Sequence, residues 1–276
     1  MFCERNMAPA APTDLHYRAD GPSGAPVLVL SHALGLSMAM WDPQVAPLSR
    51  VFRVVRYDHR GHGGSPVPAG PYRIEDLGRD LLHLLDRLAL ERVSFCGLSL
   101  GGMVGLWLAA NAPERVDRLV VCCTAARMPR PENYAERAKV VRAKGMAAIA
   151  DMVIGRWFTP AFLARRPDVV AGIKSILLAT QPEGYAATCE ALAAMDLRDD
   201  LPRIGASTLV IAGAEDQATP LEHADEIARR IRGAELVVIP DAAHLANIEQ
   251  PDAVTDKILG HLKARTLQTG REPNEP

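Results

Sequence analysis

Short apolar runs of strand length alternate with segments of helical periodicity along most of this 276-residue sequence. The apolar runs are at 26–33, 52–58, 92–97, 116–125, 207–216 and 234–244. Helical patterns follow or separate them at 74–90, 101–113, 221–231 and 254–265. Strands that are apolar throughout and alternate with helices predict an α/β fold, with a mostly parallel sheet and helices on both faces.

One segment, 127–201, interrupts this alternation. Its pattern is helical throughout and is broken only by Gly and Pro. We therefore predict an α/β core formed by 12–126 and 202–265, an inserted helical cap over 127–201, and flexible tails at 1–11 and 266–276. Helices above the carboxyl edge of a parallel sheet would cover the place where ligands bind.

Composition excludes several classes of partner. The formal net charge of −2 offers no basic field for nucleic acid or an anionic membrane surface. No run approaches the roughly 20 apolar residues that span a bilayer, and the N-terminal segment lacks the apolar region of a signal peptide. The five cysteines are interpreted as reduced packing residues. We expect a cytoplasmic protein, and its oligomeric state remains open.

The stretch Gly97-Leu98-Ser99-Leu100-Gly101 has the form G-x-S-x-G. It follows a predicted strand and begins a predicted helix, which is the context that a nucleophile elbow requires. The glycines two positions either side of Ser99 would let strand and helix approach each other. A helix N-terminus also favours a developing negative charge. The alternative is a tight turn with a passive serine.

A serine nucleophile needs a base, and the base needs an acid that orients it. In this fold class the chain order is Ser, acid, His. His244 follows the last strand, and Asp216 ends the strand before it. Glu215 competes with Asp216, whose carboxylate could instead form an Asx turn or a helix cap. The strand after the nucleophile helix ends without a carboxylate, which favours Asp216.

Acyl transfer also needs N–H donors for the oxyanion. The backbone N–H of Leu100 is one candidate, because it follows the nucleophile directly. The N–H of Leu34, in the loop after an early strand, is the second. We interpret His32 in that loop as a structural support and not as a base.

A glycine-rich stretch at 58–65 resembles a phosphate-binding loop but lacks the Lys-Ser/Thr ending of one. It is interpreted as a structural loop in which Asp58 and Arg60 bond locally. His59 and His62 could suggest a metal, but no other ligands have matching spacing. We predict no metal and no organic cofactor.

The sequence resembles the α/β-hydrolase superfamily and, more narrowly, the 3-oxoadipate enol-lactonases. The elbow, the stretch DHRGHGGS and the late histidine are shared by many hydrolases. The stretches RWFTPAF and GYAATCEALAAMDLRDDL are more specific to the enol-lactonases. The chain departs from that family where it often has Asn in place of His32 and of Cys123, and the first departure lies in the predicted oxyanion loop.

The resemblance implies hydrolysis of the lactone ring of 3-oxoadipate enol-lactone, in the β-ketoadipate pathway of aromatic-compound catabolism. Such a substrate carries a carboxylate, and Arg suits its recognition. The cap offers Arg127, Arg130, Arg156, Arg165 and Arg166. Our hypothesis is that Arg156 binds the carboxylate and Trp157 forms a wall of the site; a surface arginine and a core tryptophan are the alternative.

Other functions are compatible with the same three residues. A broad carboxylesterase or a cofactor-free perhydrolase would use the same serine, histidine and aspartate. A ligand receptor with slow turnover could also retain them. For the hydrolase we expect the partner to be a small lactone or ester that carries a carboxylate.

Overall fold

A computed structural model describes residues 11–263, and the predicted tails lie outside that range apart from Ala11. Within it, seven strands form one sheet in the order β1-β3-β2-β4-β5-β6-β7. The strands are β1 (Tyr17–Asp20), β2 (Val27–Ser31), β3 (Arg53–Tyr57), β4 (Val93–Leu98), β5 (Val116–Cys122), β6 (Ser207–Gly213) and β7 (Glu235–Ile239). Only β1 is antiparallel to its neighbour, so the predicted α/β fold with a mostly parallel sheet is confirmed.

Eleven α-helices accompany this sheet within the described range. They are α1 (Asp42–Leu48), α2 (Ile74–Arg87), α3 (Leu100–Asn111), α4 (Pro131–Lys144), α5 (Ala147–Trp157), α6 (Pro160–Arg165), α7 (Pro167–Ala179), α8 (Pro182–Ala194), α9 (Leu221–Arg230), α10 (Ala246–Glu249) and α11 (Pro251–Lys263). None of these helices combines the length and the apolar character needed to span a bilayer.

The central strands and α3 form the middle of the core. Every residue of β4 is buried, and α3 is buried along almost its whole length where it packs on β4 and β5. Continuous apolar sequence is what a strand covered on both faces requires. The strand β1 was not among the predicted runs, because it is short, mostly exposed and has no apolar pattern.

Five helices, α4 to α8, lie between β5 and β6 and fall inside the segment interpreted as a cap. The two ends of this segment meet. The N–H of Leu197 donates to the carbonyl oxygen of Ala126 at 2.8 Å, and Arg127 pairs with Asp196 in an isolated antiparallel bridge. The first and last residues of the segment therefore lie side by side.

The loop after β3 differs from the prediction in the partner of the Arg60 side chain. Asp58 does bond locally, to the N–H of Gly64 at 2.9 Å, but it also accepts from the N–H of Met38 at 2.7 Å. The prediction that Arg60 bonds locally through its side chain was wrong. Its guanidinium forms a buried two-point ion pair with Asp80 on α2, at 2.5 and 2.6 Å. This pair anchors the loop to the helix.

Candidate active site

Ser99 lies in the sharp turn between β4 and α3. Its φ of 55° and ψ of −114° are strained for a residue with a side chain, at a cost of roughly 1–3 kcal/mol. Hydrogen bonds hold the strained backbone. The N–H donates to the carbonyl oxygen of Cys122 at 2.9 Å, and the carbonyl accepts from the hydroxyl of Thr124 at 2.7 Å. The sequence therefore forms the turn that the G-x-S-x-G pattern predicts.

The glycines on either side of this turn are required by close packing. A Cβ at Gly101 would overlap the backbone of Ser31 in β2, and one at Gly97 would overlap the backbone of Gly101 itself. Strand and helix can approach this closely only without side chains at these positions.

Asp216 and His244 are hydrogen-bonded, although 28 positions separate them in sequence. The Nδ1 of His244 lies 2.8 Å from Oδ2 of Asp216, and both side chains are buried. The other carboxylate oxygen accepts from the N–H groups of Ala218 and Thr219, at 2.8 and 2.9 Å. Asp216 therefore forms an Asx-type turn and also binds the histidine, so the two roles considered for it coexist.

The carboxylate of Asp216 is stabilised in its charged form. Burial alone would raise its pKa, but the adjacent imidazole of His244 and the hydrogen bonds from Thr219 outweigh burial and hold the pKa below its ordinary value. The hydroxyl of Thr219, 2.8 Å from Oδ2, was not identified from the sequence. The competing carboxylate, Glu215, is exposed.

Ser99, His244 and Leu34 line one cavity of about 230 Å³. Leu100 is the first residue of α3, so its N–H has no partner within the helix. The N–H of Leu34 has no acceptor within residues 11–263, whereas the N–H groups of its neighbours Ala33 and Gly35 both have one. Two candidate oxyanion donors therefore lie beside the serine and the histidine.

The cavity wall is cationic. Arg130, Arg137 and Arg156 line it, and no acidic side chain of the described chain does. Arg156 bonds the carbonyl oxygen of Gln217 at 3.0 Å, and the neighbouring Trp157 is mostly buried while still lining the cavity.

Three other arginines considered for the substrate do not line the cavity. Arg127 and Arg166 pair with Asp196 and Asp168, and Arg165 lies over the ring of Phe162.

Arg137 was missed by the sequence reasoning. It lies on α4 with its guanidinium 4.9 Å from the ring of Tyr134 and 3.5 Å from the hydroxyl of Tyr185. No carboxylate within residues 11–263 forms an ion pair with it. Tyr134 and Arg137 are three positions apart and share a helix face, which is the only signal the sequence carried.

One of three buried histidines, His32, lies in the loop that carries Leu34, and the other two, His59 and His62, lie in the loop after β3. Nε2 of His32 accepts from the N–H of His59 at 3.0 Å, and Nε2 of His62 accepts from the N–H of Gly35 at 3.0 Å. The opposite ring nitrogens of His32 and His62 face the carbonyl oxygens of Ala33 and Arg60. These bonds require neutral rings, because a protonated imidazole cannot accept. Burial accordingly lowers the pKa of His62 to about 3 and that of His59 well below its ordinary value.

His32 therefore supports the loop, as predicted. Among the described residues no group of three His, Cys, Asp or Glu side chains is arranged to hold a metal ion.

The sheet, the strained serine turn and the Asp–His pair together define a class of protein. The sequence profile of the family described as the alpha/beta hydrolase fold matches residues 26–251, and the chain belongs to this family.

Individual relatives narrow the comparison. The protein named 3-oxoadipate enol-lactonase 2 of Acinetobacter baylyi is 38% identical over 263 residues, 95% of this chain and 98% of that protein. A crystal structure of the enol-lactonase from Burkholderia xenovorans LB400 is 47% identical with a TM-score of 0.89, covering 91% of this chain and 97% of that one. A putative carbamate hydrolase RutD of Stutzerimonas stutzeri is 33% identical, covering 90% and 96%. The resemblance to enol-lactonases is confirmed, and the chain is a hydrolase that acts on ester or lactone bonds.

Proposed function

We propose that this protein hydrolyses 3-oxoadipate enol-lactone to 3-oxoadipate, with Ser99 as nucleophile, His244 as base and Asp216 as the acid that orients the base. The observation that supports this substrate is the composition of the cavity wall, which has three arginines and no acidic side chain among the described residues. A neutral ester would not need such a wall, whereas a lactone with a free carboxylate would. The reaction belongs to the breakdown of aromatic compounds, and we propose that it takes place in the cytoplasm.

In the first step the hydroxyl oxygen of Ser99 attacks the lactone carbonyl carbon, and Nε2 of His244 accepts the hydroxyl proton. Asp216 keeps the proton of the imidazole on Nδ1 and stabilises the imidazolium that forms. The N–H groups of Leu34 and Leu100 stabilise the negative charge on the carbonyl oxygen.

The carbon–oxygen bond of the ring then breaks. The leaving oxygen takes the proton from His244 and becomes an enol that is still attached to the acyl group. Water, deprotonated by His244, attacks the acyl-enzyme and releases Ser99 with the proton returned to it. The free enol becomes the ketone of 3-oxoadipate, so atoms and protons balance without a further reactant.

The substrate carboxylate is proposed to lie against Arg137 and Arg156, with Trp157 forming the apolar wall. Arg137 is the stronger candidate, because within residues 11–263 its guanidinium contacts the ring of Tyr134 and the hydroxyl of Tyr185 but forms no ion pair. Arg156 already donates to the carbonyl oxygen of Gln217.

The direct test is the loss of enol-lactone absorbance with the purified protein and with Ser99→Ala. We expect turnover by the wild type and its near-complete loss in the variant, which should keep the fold. Preference for neutral p-nitrophenyl esters over the lactone would instead indicate a broad carboxylesterase. Preference for a carbamate would favour the activity named for the RutD relative, and a burst without steady turnover would indicate a ligand receptor.

The proposed binding of the substrate carboxylate by Arg137 can be tested against a control variant at Arg165. Arg137→Met should lower kcat/KM for the enol-lactone about 10- to 100-fold, because a hydrogen bond to a charged group contributes about 1.5–3 kcal/mol. Hydrolysis of p-nitrophenyl acetate should change little. Arg165→Met, in a cap arginine that does not line the cavity, should alter neither rate. Equal losses on both substrates would contradict the assignment.

A further inference from the structure

Gly35, next to the candidate oxyanion donor Leu34, is held from two opposite parts of the molecule. Its N–H donates to Nε2 of His62 at 3.0 Å, from the loop after β3. Its carbonyl oxygen accepts from the hydroxyl of Thr180 at 2.8 Å. Thr180 lies directly after α7, in the segment between β5 and β6, 145 positions away in sequence. A histidine of the core therefore holds the N–H of Gly35, and a threonine of the cap holds its carbonyl group.

The packing around Gly35 leaves no room for a side chain at this position. Its φ is +77°, which favours glycine, and an added Cβ would lie 2.7 Å from Leu177 and 2.8 Å from Tyr185. Both of these side chains belong to helices of the cap segment. The orientation of this loop thus depends on how the cap is seated on it.

The hydroxyl of Thr180 has a choice of acceptors. It is also 3.3 Å from the carbonyl oxygen of Ile176, one turn earlier in its own helix. The shorter contact is the one that crosses to the core. Because Thr180 is buried, loss of this bond would leave the Gly35 carbonyl without that partner and without easy access to water.

We propose that Thr180 is a positioning residue, which holds the Gly35 carbonyl from the cap and so orients the Leu34 N–H toward the oxyanion. The hydroxyl need not touch the substrate to do this. The inference rests on the proposed roles of Ser99 and Leu34, but not on the identity of the lactone. Seating of the cap would then complete the oxyanion site.

Thr180→Val removes the donor and keeps the shape of the side chain. We expect kcat for p-nitrophenyl acetate to fall about 3- to 10-fold, the effect of one net hydrogen bond of about 0.5–1.5 kcal/mol, with KM within about twofold of the wild type. Thr180→Ser, which keeps the hydroxyl, should restore kcat.

The chain provides a matched control in Thr188. This residue is also buried in the cap and also donates to a carbonyl oxygen at 2.8 Å, but that oxygen belongs to Gly184 of its own helix. Thr188→Val should therefore leave kcat unchanged. If both valine variants lose kcat equally, the effect is general destabilisation of the cap and the proposal is overturned.

A second measurement reports on the oxyanion directly. An aryl trifluoromethyl ketone forms a charged tetrahedral adduct with an active serine, so its affinity should fall in Thr180→Val by the same factor as kcat. Unchanged affinity would overturn the proposal. Lack of enol-lactone turnover with normal p-nitrophenyl acetate hydrolysis would reject the proposed substrate and leave this inference intact. A wild type that neither turns over the ester nor binds the ketone would reject both.

Discussion

The buried histidines should make the fold unusually sensitive to mild acid. His32 and His62 each accept a backbone N–H through Nε2, so neither can be protonated without breaking that bond. In the unfolded chain both would have a pKa of about 6.5. Below that pH the unfolded chain binds more protons than the folded one, and the free energy of unfolding therefore falls as the pH falls.

The magnitude follows from proton linkage. A ring that stays neutral in the fold removes about 1.4 kcal/mol from the free energy of unfolding between about pH 7.5 and about pH 5.5. For His62 this is a sizeable share of the 5–15 kcal/mol typical of a domain, and His32, whose pKa burial also lowers, adds to the loss. His59, whose pKa is also lowered by burial, acts in the same direction. Carboxylates with lowered pKa values, such as Asp216, act only at lower pH.

Urea denaturation at the two pH values measures the effect, and His62→Gln isolates one ring. The Gln side-chain oxygen can still accept from the N–H of Gly35 but does not titrate. The variant should lose about 1.4 kcal/mol less than the wild type over the same interval. All other groups cancel in this comparison. If wild type and variant lose the same stability, His62 is not held neutral by the fold, and the reasoning fails.

Three further outcomes are expected. Asp216→Asn should lower kcat about 10⁴-fold, because Asn does not hold the histidine in the correct tautomer. Glu215→Gln changes an exposed carboxylate and should keep most of the activity. If steady-state kinetics show the reverse, Glu215 and not Asp216 orients the histidine. Gly101→Ala should lower the Tm strongly, because the alanine Cβ would overlap the backbone of Ser31 in β2. A wild-type Tm in calorimetry would contradict this close packing. Arg60→Met should lower the free energy of unfolding, measured by urea denaturation, by about 3–5 kcal/mol, because the buried carboxylate of Asp80 loses its ion-pair partner. A decrease of less than about 1 kcal/mol would contradict a buried ion pair.

The sheet and the serine turn could be predicted because their causes are local. Apolar runs between helical segments predicted six of the seven strands within residues 11–263. The turn at Ser99 needs only glycines at fixed spacing between a strand and a helix. The remaining strand, β1, pairs through an exposed backbone ladder that leaves no apolar pattern.

Contacts between distant parts of the chain could not be predicted in the same way. The ion pair of Arg60 with Asp80 and the bond from Thr180 to Gly35 depend on how loops and helices meet. Arg137 looked like one surface charge among many on α4. Its place in the cavity wall depends on how α4 packs against the rest of the protein.

The junction where Leu197 bonds to Ala126 has a consequence for how such enzymes diversify. An inserted segment whose ends are adjacent can be exchanged for another without moving the strands that flank it. The arginines of the cavity wall belong to that exchangeable segment, whereas Ser99, Asp216 and His244 lie in the turns and loops that follow β4, β6 and β7. Replacing the segment between positions 126 and 197 with that of a relative should therefore change the substrate preference and leave Ser99, Asp216 and His244 unchanged.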